Sequence, residues 1–341
     1  MQSAVRSGPG KPRRWRALLL VVLLTAGLVV GVRPAASRPR PPGENVLRVG
    51  TYLQSIDNLD LQNNSFEAQL YLWTLWSGDP ERNPSDALEL LNDVHDGDLY
   101  QFEEKARRRQ EGVDWRLYAV HSRFVHRWRL QAYPFDSHLL RIRVGLRDPF
   151  ERRVRLEADG EGSAASPELY LYGWSIGDVG ISRSSTDFLS TLGRPASGAP
   201  SAEGAQTITT TLELVRRSRL HLVPDFLGYI LAVGLCVLAL LIQRTRDDLI
   251  LAAVVSAAGN YVFLAGILPV GAMSGFIGRL QLVILAGILY VVGADEILDH
   301  HLGRVAPGRA AFLRSAVLPS YLLITMIAIY LIIPTGVVET G

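Results

Sequence analysis

The segment RLQAYPFDSHLLRIR, residues 129–143, decides the fold of this chain. Its centre, Tyr133-Pro-Phe-Asp136, is a turn signal, because proline presets its own φ and aspartate accepts backbone hydrogen bonds in turns. The residues that follow alternate between apolar Leu140 and Ile142 and basic Arg141 and Arg143. This alternation is typical of a half-buried strand. The segment therefore predicts a tight turn that leads into a strand.

The residues on either side of this turn predict an all-β first half. Short alternating or aromatic-rich runs recur with turn residues between them, at the spacing of a β-sandwich. These runs cover residues 46–53, 66–76, 116–120, 125–130, 139–144, 154–157 and 208–215. We therefore predict an immunoglobulin-like β-sandwich domain over residues 46–217.

Four apolar runs follow this domain, and each is near the ~20 residues that a bilayer-crossing helix requires. They cover residues 220–242, 248–269, 276–293 and 310–334. Arginines in the first and third connections predict that these connections are cytoplasmic, which leaves the β domain extracellular or periplasmic. We therefore predict a multi-pass protein of the cell (inner) membrane, with an α-helical four-span transmembrane bundle over residues 218–341.

The amino terminus predicts export. A basic head at residues 11–16 precedes a short apolar core at 17–31 and small residues at 35–37, the pattern of a signal peptide over residues 1–37. Residues 38–45 are then a linker. An uncleaved anchor remains the alternative, because the apolar core is only slightly shorter than a span.

Composition argues against several function classes. The formal net charge of +2 gives no indication of a nucleic-acid partner. Cys236 is the single cysteine, which excludes an intramolecular disulfide and a Cys-based metal site. The adjacent pairs His300-His301 and Asp295-Glu296 would diverge on a helix instead of converging on a metal ion. With no phosphate-binding loop or nucleophile motif, we predict no enzyme activity, no metal and no cofactor.

Tyr133-Pro134-Phe135-Asp136, followed by four spans, resembles the signature loop of the pentameric ligand-gated ion channels, the Cys-loop receptor superfamily. The similarity covers nearly everything from residue 46 to residue 334. It includes residues 51–60 and 66–76, Gly173-Trp174, Val215-Arg-Arg217 and Ile267-Leu-Pro269. The family's two bridging cysteines are here His126 and Leu140, and bacterial members likewise lack the disulfide.

This resemblance implies a homopentamer in a lipid bilayer that conducts monovalent ions when an extracellular signal opens it. The signal is either a small agonist or protons, and the sequence leaves that choice open. An agonist site would lie between neighbouring subunits, for which we nominate Trp174 and the loop at 182–206. The alternative for Trp174 is an aromatic residue of the sandwich core.

The resemblance also implies which residues couple the sandwich to the spans. In the family, three features pack against one another: the signature turn, the loop after the first strand and a basic residue before the first span. The corresponding residues are Asp60, Tyr133, Pro134, Phe135, Asp136, Arg216 and Arg217. Arg216 and Arg217 point to opposite sides of an extended strand, so only one of them faces Asp136. We expect Arg217, which is closer to the span. Alternatively, Asp136 only holds its own turn.

The family's pore is lined by the second span. Counting back from Pro269 in steps of four and three gives one helical face. Its residues are Asp248, Ala252, Val255, Gly259, Val262 and Gly266. Five copies of Asp248 would form an acidic ring that favours cations, and rings of Val255 and Val262 would form constrictions that close by dewetting. Asp247 and Asp248 also suit the amino terminus of a helix, where carboxylates are favourable.

Two competing hypotheses stay open. Cation-selective relatives carry a glutamate slightly before the acidic ring, and here that position is Arg244 or Thr245, so a basic ring would instead favour anions. The alternative function is a non-conducting membrane sensor, with a periplasmic β-sandwich binding module on a four-span anchor. That hypothesis predicts an unpatterned second span.

Overall fold

The computed structural model describes residues 45–334 apart from residues 96, 98, 150, 152, 187–203, 217–222, 243 and 299–306. Over these residues the chain forms a β-sandwich-like domain followed by four long apolar helices. The predicted fold class is therefore confirmed. The predicted signal peptide lies outside the described residues.

Two sheets form the first domain. Their strands are β1 (Val46–Asp60), β2 (Ser65–Ser77), β3 (Leu88–Leu90), β4 (Gln101–Gln110), β5 (Val113–Val125), β6 (Ser137–Leu146), β7 (Arg155–Ala158), β8 (Ala164–Ala165), β9 (Trp174–Thr186) and β10 (Ala205–Arg216). One sheet has the strand order β4-β5-β2-β1-β7, with β8 pairing to β1, and the other has the order β3-β6-β10-β9. The β7 and β8 strands run parallel to β1, and the remaining pairs are antiparallel.

The core of this domain follows from the alternation of apolar residues. In β5, Tyr118, Val120 and Phe124 are buried at every second or fourth position. In β6, Leu140 and Ile142 are buried, as the alternation in the sequence predicts. A strand that alternates in this way buries one face and leaves the other towards solvent. The two sheets therefore share one apolar core.

The helices of the second domain are α1 (Leu227–Leu241), α2 (Arg246–Ile267), α3 (Val270–Met273), α4 (Phe276–Glu296) and α5 (Pro307–Ile332). All but the four-residue α3 are long and apolar enough to cross a membrane, with mean hydropathies of 1.9 to 2.1. The chain is thus a multi-pass membrane protein by helix length and composition. The first helix begins later than the predicted span, after a 3₁₀ turn at Pro224–Phe226.

The end of the sandwich that carries the Tyr133–Asp136 turn contacts the helices. The ring of Phe135 packs edge to face on the ring of Phe276 in α4, with centroids 5.4 Å apart. The backbone of Gln131 lies so close to Gly275 that a β-carbon at this glycine would stand 2.1 Å from the Gln131 carbonyl oxygen. Only glycine fits there.

We call the region where the sandwich meets the helices the junction. It comprises the loop at residues 61–64, the turn at 130–136, the end of β10 and the α-helix ends that they contact.

Candidate functional site

The buried carboxylate of Asp136 is the centre of the junction. A backbone bond of 2.7 Å from the Phe135 N–H to the Ala132 carbonyl supports the turn, and the Tyr133–Pro134 peptide bond is cis. The carboxylate of Asp136 turns away from this loop into the sandwich. Its Oδ1 accepts a bond of 2.8 Å from the Arg216 Nε, and its Oδ2 lies 2.6 Å from the His138 Nε2. Asp136 therefore links the turn to β10 and does more than hold its own loop.

The guanidinium of Arg216 lies between two aromatic rings. Its central carbon is 4.6 Å from the ring centre of Tyr133 and 4.3 Å from that of Trp174. Cations are attracted to such faces, most strongly where water is largely excluded. Burial alone would raise the pKa of Asp136, but the hydrogen bond from His138 and the charge of Arg216 hold that pKa below its ordinary value. The Asp136 carboxylate is therefore ionised at neutral pH.

This geometry corrects the prediction of which arginine pairs with Asp136. The sequence favoured Arg217, whereas the structure pairs Asp136 with Arg216; Arg217 lies outside the described residues. The reason is the two-residue period of a strand. Leu212 and Leu214 are buried in the core while Val215 is 42% exposed, so Arg216 continues the inward face.

Trp174, which was nominated for an agonist site between subunits, does not lie at the surface. It is buried, its face is covered by Arg216, and its edge approaches the ring of His138 with centroids 5.7 Å apart. This arrangement does not offer the indole to a ligand at the surface. The structure supports the alternative, in which Trp174 is an aromatic residue of the sandwich core. Most of the nominated loop, residues 187–203, lies outside the described residues.

Asp60 shapes the loop after β1 instead of joining the ion pair. Its carboxylate accepts bonds from the Gln62 and Asn63 backbone N–H groups and from the Asn63 side chain. These bonds, above all those from Asn63, lower the pKa of Asp60. The loop reaches the helices through Gln62, whose Nε2 donates a 2.7 Å bond to the Gly266 carbonyl. The last carbonyls of a helix lack intrahelical partners, so Gln62 binds α2 where an acceptor is available.

A second connection runs from the turn to the buried side of α2. The Tyr133 hydroxyl donates a 2.7 Å bond to the Asp225 carboxylate, just before α1. The Asp225 carbonyl accepts a 3.0 Å bond from the Asn260 Nδ2, and the Asn260 Oδ1 accepts a 2.8 Å bond from the Gly228 N–H. Burial, followed by the bond to Asp225, raises the pKa of Tyr133, so its phenol stays protonated and donates. Asn260 thereby satisfies one backbone group in the turn before α1 and one in the first turn of α1.

Sequence reasoning missed both Gln62 and Asn260. Asn260 carried a signal, because a polar side chain in an apolar span is costly unless it has partners inside the protein. Gln62 carried none, since a glutamine in a polar loop is ordinary.

Pro134 and Phe135 cover an apolar cavity at the junction. The cavity measures ≈ 430 Å³, and its other walls come from the turn before α1 and from α1, α4 and α5, including Tyr229, Leu280 and Ile329. These two turn residues therefore face the helices, while Asp136 faces the sandwich core. The turn contacts both domains at once.

The α2 helix has two contrasting faces. Its buried side carries Ala253, Ala257, Asn260 and Leu264. All six residues of the predicted pore stripe are exposed, with Val255 at 62% and Val262 at 69%. A β-carbon added at Gly259 or Gly266 would meet nothing within 4 Å. The described residues of this single subunit thus leave the whole face uncovered.

Charged residues meet at the start of α2, the end far from the sandwich. Asp247 and Asp248 lie in its first turn and are exposed, as is Arg244 just before it. Arg246 is buried, and its Nε donates a 3.0 Å bond to the Ala239 carbonyl near the end of α1. Carboxylates at a helix amino terminus and a cation at a helix carboxyl terminus both suit the helix dipoles. Asp247 and Asp248 are not the N-cap, which is Thr245 and has no side-chain capping bond. Their favourable interaction with the helix dipole is compatible with exposure on the stripe.

Comparison with protein-family models and with curated proteins gives no match to this chain.

Proposed function

We propose that the chain is a subunit of a homopentameric ligand-gated ion channel. The observation that carries the proposal is the two-faced character of α2. One side is packed against the other helices of its own subunit, and the opposite side presents the stripe from Asp248 to Gly266. Five such helices around an axis would turn the stripes towards a common lumen.

The composition of the stripe favours exposure to a water-filled lumen and argues against contact with lipid. A charged side chain is costly towards lipid and typically faces a water-filled cavity or the protein interior. Asp248, the two glycines and Ala252 also offer little apolar surface to acyl chains. Bulky exposed residues of α2 such as Leu251 and Phe263 lie off the stripe, where they would contact lipid or neighbouring subunits. This pattern counts against the non-conducting sensor, which predicts an unpatterned span.

In this proposal the junction transmits the signal. A ligand or proton that rearranges the sandwich displaces the end of β10, where Arg216 is held by Asp136, Tyr133 and Trp174. Tyr133 passes this displacement through Asp225 to Asn260, and Gln62 acts separately on the end of α2. The constrictions at Val255 and Val262 then open or close. The sandwich faces the cell exterior or periplasm.

The proposed permeant ions are monovalent cations. Asp247 and Asp248 are exposed at the entrance of the stripe, whereas the Arg246 side chain is buried against the carboxyl end of α1. A ring of carboxylates attracts cations directly. Arg244 is exposed one turn earlier and opposes this effect, so it is the residue that would favour anions if its ring dominated.

The test is electrical and does not require the agonist to be known. Purified full-length protein is reconstituted in planar bilayers, and its assembly is measured by native mass spectrometry. We expect a pentamer and single-channel currents under an acidic shift or an agonist screen, with resting currents in the Val255→Ser variant. A pentamer that stays electrically silent in both forms would support the sensor hypothesis, and a stable monomer would exclude the pore.

A further inference from the structure

A cavity of ≈ 260 Å³ lies within the sandwich of one subunit, at the end that is farthest from the junction. Its walls come from Asn45 before β1, Trp76 near the end of β2, the 3₁₀ turns at Pro80–Arg82 and Pro84–Ala87, and the β6–β7 connection at residues 146–154. The β1 and β2 strands reach the junction at Asp60 and Ser65, so their other ends lie at the cavity. The space is therefore separate from the apolar cavity at the junction.

The floor of this cavity is apolar. Trp76, Leu146 and Val154 line it and are themselves buried in the sandwich core. The Trp76 Nε1 donates a 2.9 Å bond to the Asp79 carbonyl, which fixes the indole beside the 3₁₀ turns. A water molecule takes ~30 Å³ in the liquid, so the cavity has room for a molecule of about eight to nine non-hydrogen atoms. A short aliphatic chain fits a floor of this kind, because small-molecule sites are lined mainly by apolar side chains.

The rim of the cavity carries charges of both signs. Arg82, Arg153 and Asp148 are exposed there, and Glu151 is half-buried. The Arg82 Nε lies 3.6 Å from the Asp79 carboxylate, and both side chains are exposed, so this ion pair contributes little.

Arg153 is the cation at the rim that is most available to a ligand. Its guanidinium forms no ion pair with a carboxylate among the described residues. The Glu151 Oε1 instead accepts a 2.7 Å bond from the Arg153 backbone N–H, which holds the carboxylate beside the guanidinium. Arginine binds carboxylates bidentately, and carboxylates accept hydrogen bonds from ammonium groups. The rim can therefore hold a carboxylate and an ammonium group side by side.

We propose that this cavity binds a single α-amino acid with an aliphatic side chain. The α-carboxylate of the ligand lies at Arg153 and Arg82, and its α-ammonium group lies at Glu151 and Asp148. The side chain lies on the apolar floor. A rim with two cations and two carboxylates favours a zwitterion over a simple anion or a simple amine. The site is contained in one sandwich and requires neither a pentamer nor ion conduction, so its test is independent of the pore.

The site is tested by equilibrium dialysis of the full-length protein against radiolabelled L-leucine. Three unlabelled competitors each lack one part of leucine: isocaproate lacks the ammonium group, isoamylamine lacks the carboxylate, and glycine lacks the side chain. We expect saturable leucine binding, and each competitor should displace the label only at a concentration about tenfold or more above that of unlabelled leucine, because each loses one set of contacts. Absence of saturable binding, or displacement by isocaproate or isoamylamine as effective as by leucine, would overturn the proposal.

Variants locate the bound leucine. Arg153→Gln should weaken binding about tenfold, and Arg153→Lys should retain more affinity because it preserves the charge. Glu151→Gln should also weaken binding, since glutamine can keep the bond to the Arg153 N–H but removes the negative charge. Ala87→Leu should lower the affinity by filling the cavity.

Arg147→Gln is the matched control, because it neutralises an exposed arginine just after β6 that does not line the cavity. This variant should bind leucine as the wild-type protein does. Equal losses in Arg153→Gln and Arg147→Gln, or unchanged binding in both Arg153→Gln and Ala87→Leu, would place the leucine elsewhere and contradict the assigned site.

Discussion

Arg216, the last residue of β10, donates its Nε–H to the Oδ1 of Asp136 across 2.8 Å, and the side chains are only 15% and 2% exposed. An exposed ion pair contributes ~0–1 kcal/mol, whereas removal of one partner from a buried pair costs ~3–5 kcal/mol, because a charge is left uncompensated. This pair joins the turn that touches the helices to the strand that precedes them.

The first prediction is that this pair couples the sandwich to α2. Asp136→Asn and Arg216→Gln should each shift the gating midpoint towards harder opening, and the double variant should be no worse than the poorer single one. Arg143→Gln, at an exposed position on β6, is the matched control and should leave gating unchanged. Strictly additive effects in the double-mutant cycle would remove the coupling role.

A second prediction concerns the closed constriction. Val255→Ser should give resting current or easier opening, because a ring of hydroxyls holds water where a ring of valines excludes it. Val254→Ser is the control, since residue 254 lies off the stripe. Recordings from bilayers distinguish the two variants. Unchanged gating in Val255→Ser, with normal assembly, would place the constriction at another level of α2.

The third prediction concerns ion selectivity. Asp248→Asn should lower cation conductance and shift the reversal potential under a salt gradient, and Asp247→Asn should have the smaller effect. If Asp247 proves the more sensitive residue, the stripe is displaced by one position. If only Arg244→Ala changes the reversal potential, the basic ring dominates and the channel prefers anions.

The fourth prediction is that Asn260 fastens α1 to α2. Asn260→Ala leaves the Gly228 N–H and the Asp225 carbonyl without their present side-chain partner. An unsatisfied buried group costs ~1–3 kcal/mol. We therefore expect a lower unfolding temperature and weaker gating. Ser256→Ala, which removes one hydroxyl bond to the Gly228 carbonyl, should have the smaller effect; the reverse order would refute this role of Asn260.

The fifth prediction is a loss of stability in mild acid. Burial, followed by electrostatic interactions with His138 and Arg141, lowers the pKa of His126 from 6.5 to about 4. The unfolded chain therefore takes up this proton first, and between pH 6.5 and 4 the free energy of unfolding falls with pH, by up to about 3 kcal/mol. Removing the imidazole should flatten this decline.

Thermal unfolding of His126→Gln and wild-type protein, measured from pH 7 to 4.5, tests this expectation. His121→Gln, on the β5 strand that ends just before His126, is the control, because its side chain is only half-buried. Parallel pH profiles for wild type and His126→Gln would show that His126 does not cause the acid sensitivity.

Much of the architecture was predictable because it follows from local periodicity. Alternation identifies a half-buried strand such as β6, and apolar length identifies the four long helices. The choice of Arg217 failed because it weighed closeness to the first span above strand parity. Leu212 and Leu214 are four and two residues before Arg216, and this spacing already favoured Arg216 for the inward face.

The contacts across the junction were less predictable, since they join residues far apart in the chain. Gln62 and Gly266 are 204 positions apart, and Asn260 binds groups 32 and 35 positions away. A polar side chain within an apolar span predicts that some partner exists, but the partner depends on how the helices pack. The burial of Trp174 likewise depends on Arg216, which reaches it from another strand.

The close approach of Gly228 to α2 determines how this bundle can move. A β-carbon at Gly228 would stand 2.6 Å from the Asn260 Cβ and 2.7 Å from the Ser256 carbonyl oxygen, so the two backbones are in direct contact. Sliding of one helix along the other would break the two hydrogen bonds of Asn260 and separate these touching backbones. We therefore expect α1 and α2 to move together in any rearrangement that keeps these contacts, with the largest displacements at the helix ends farthest from Gly228.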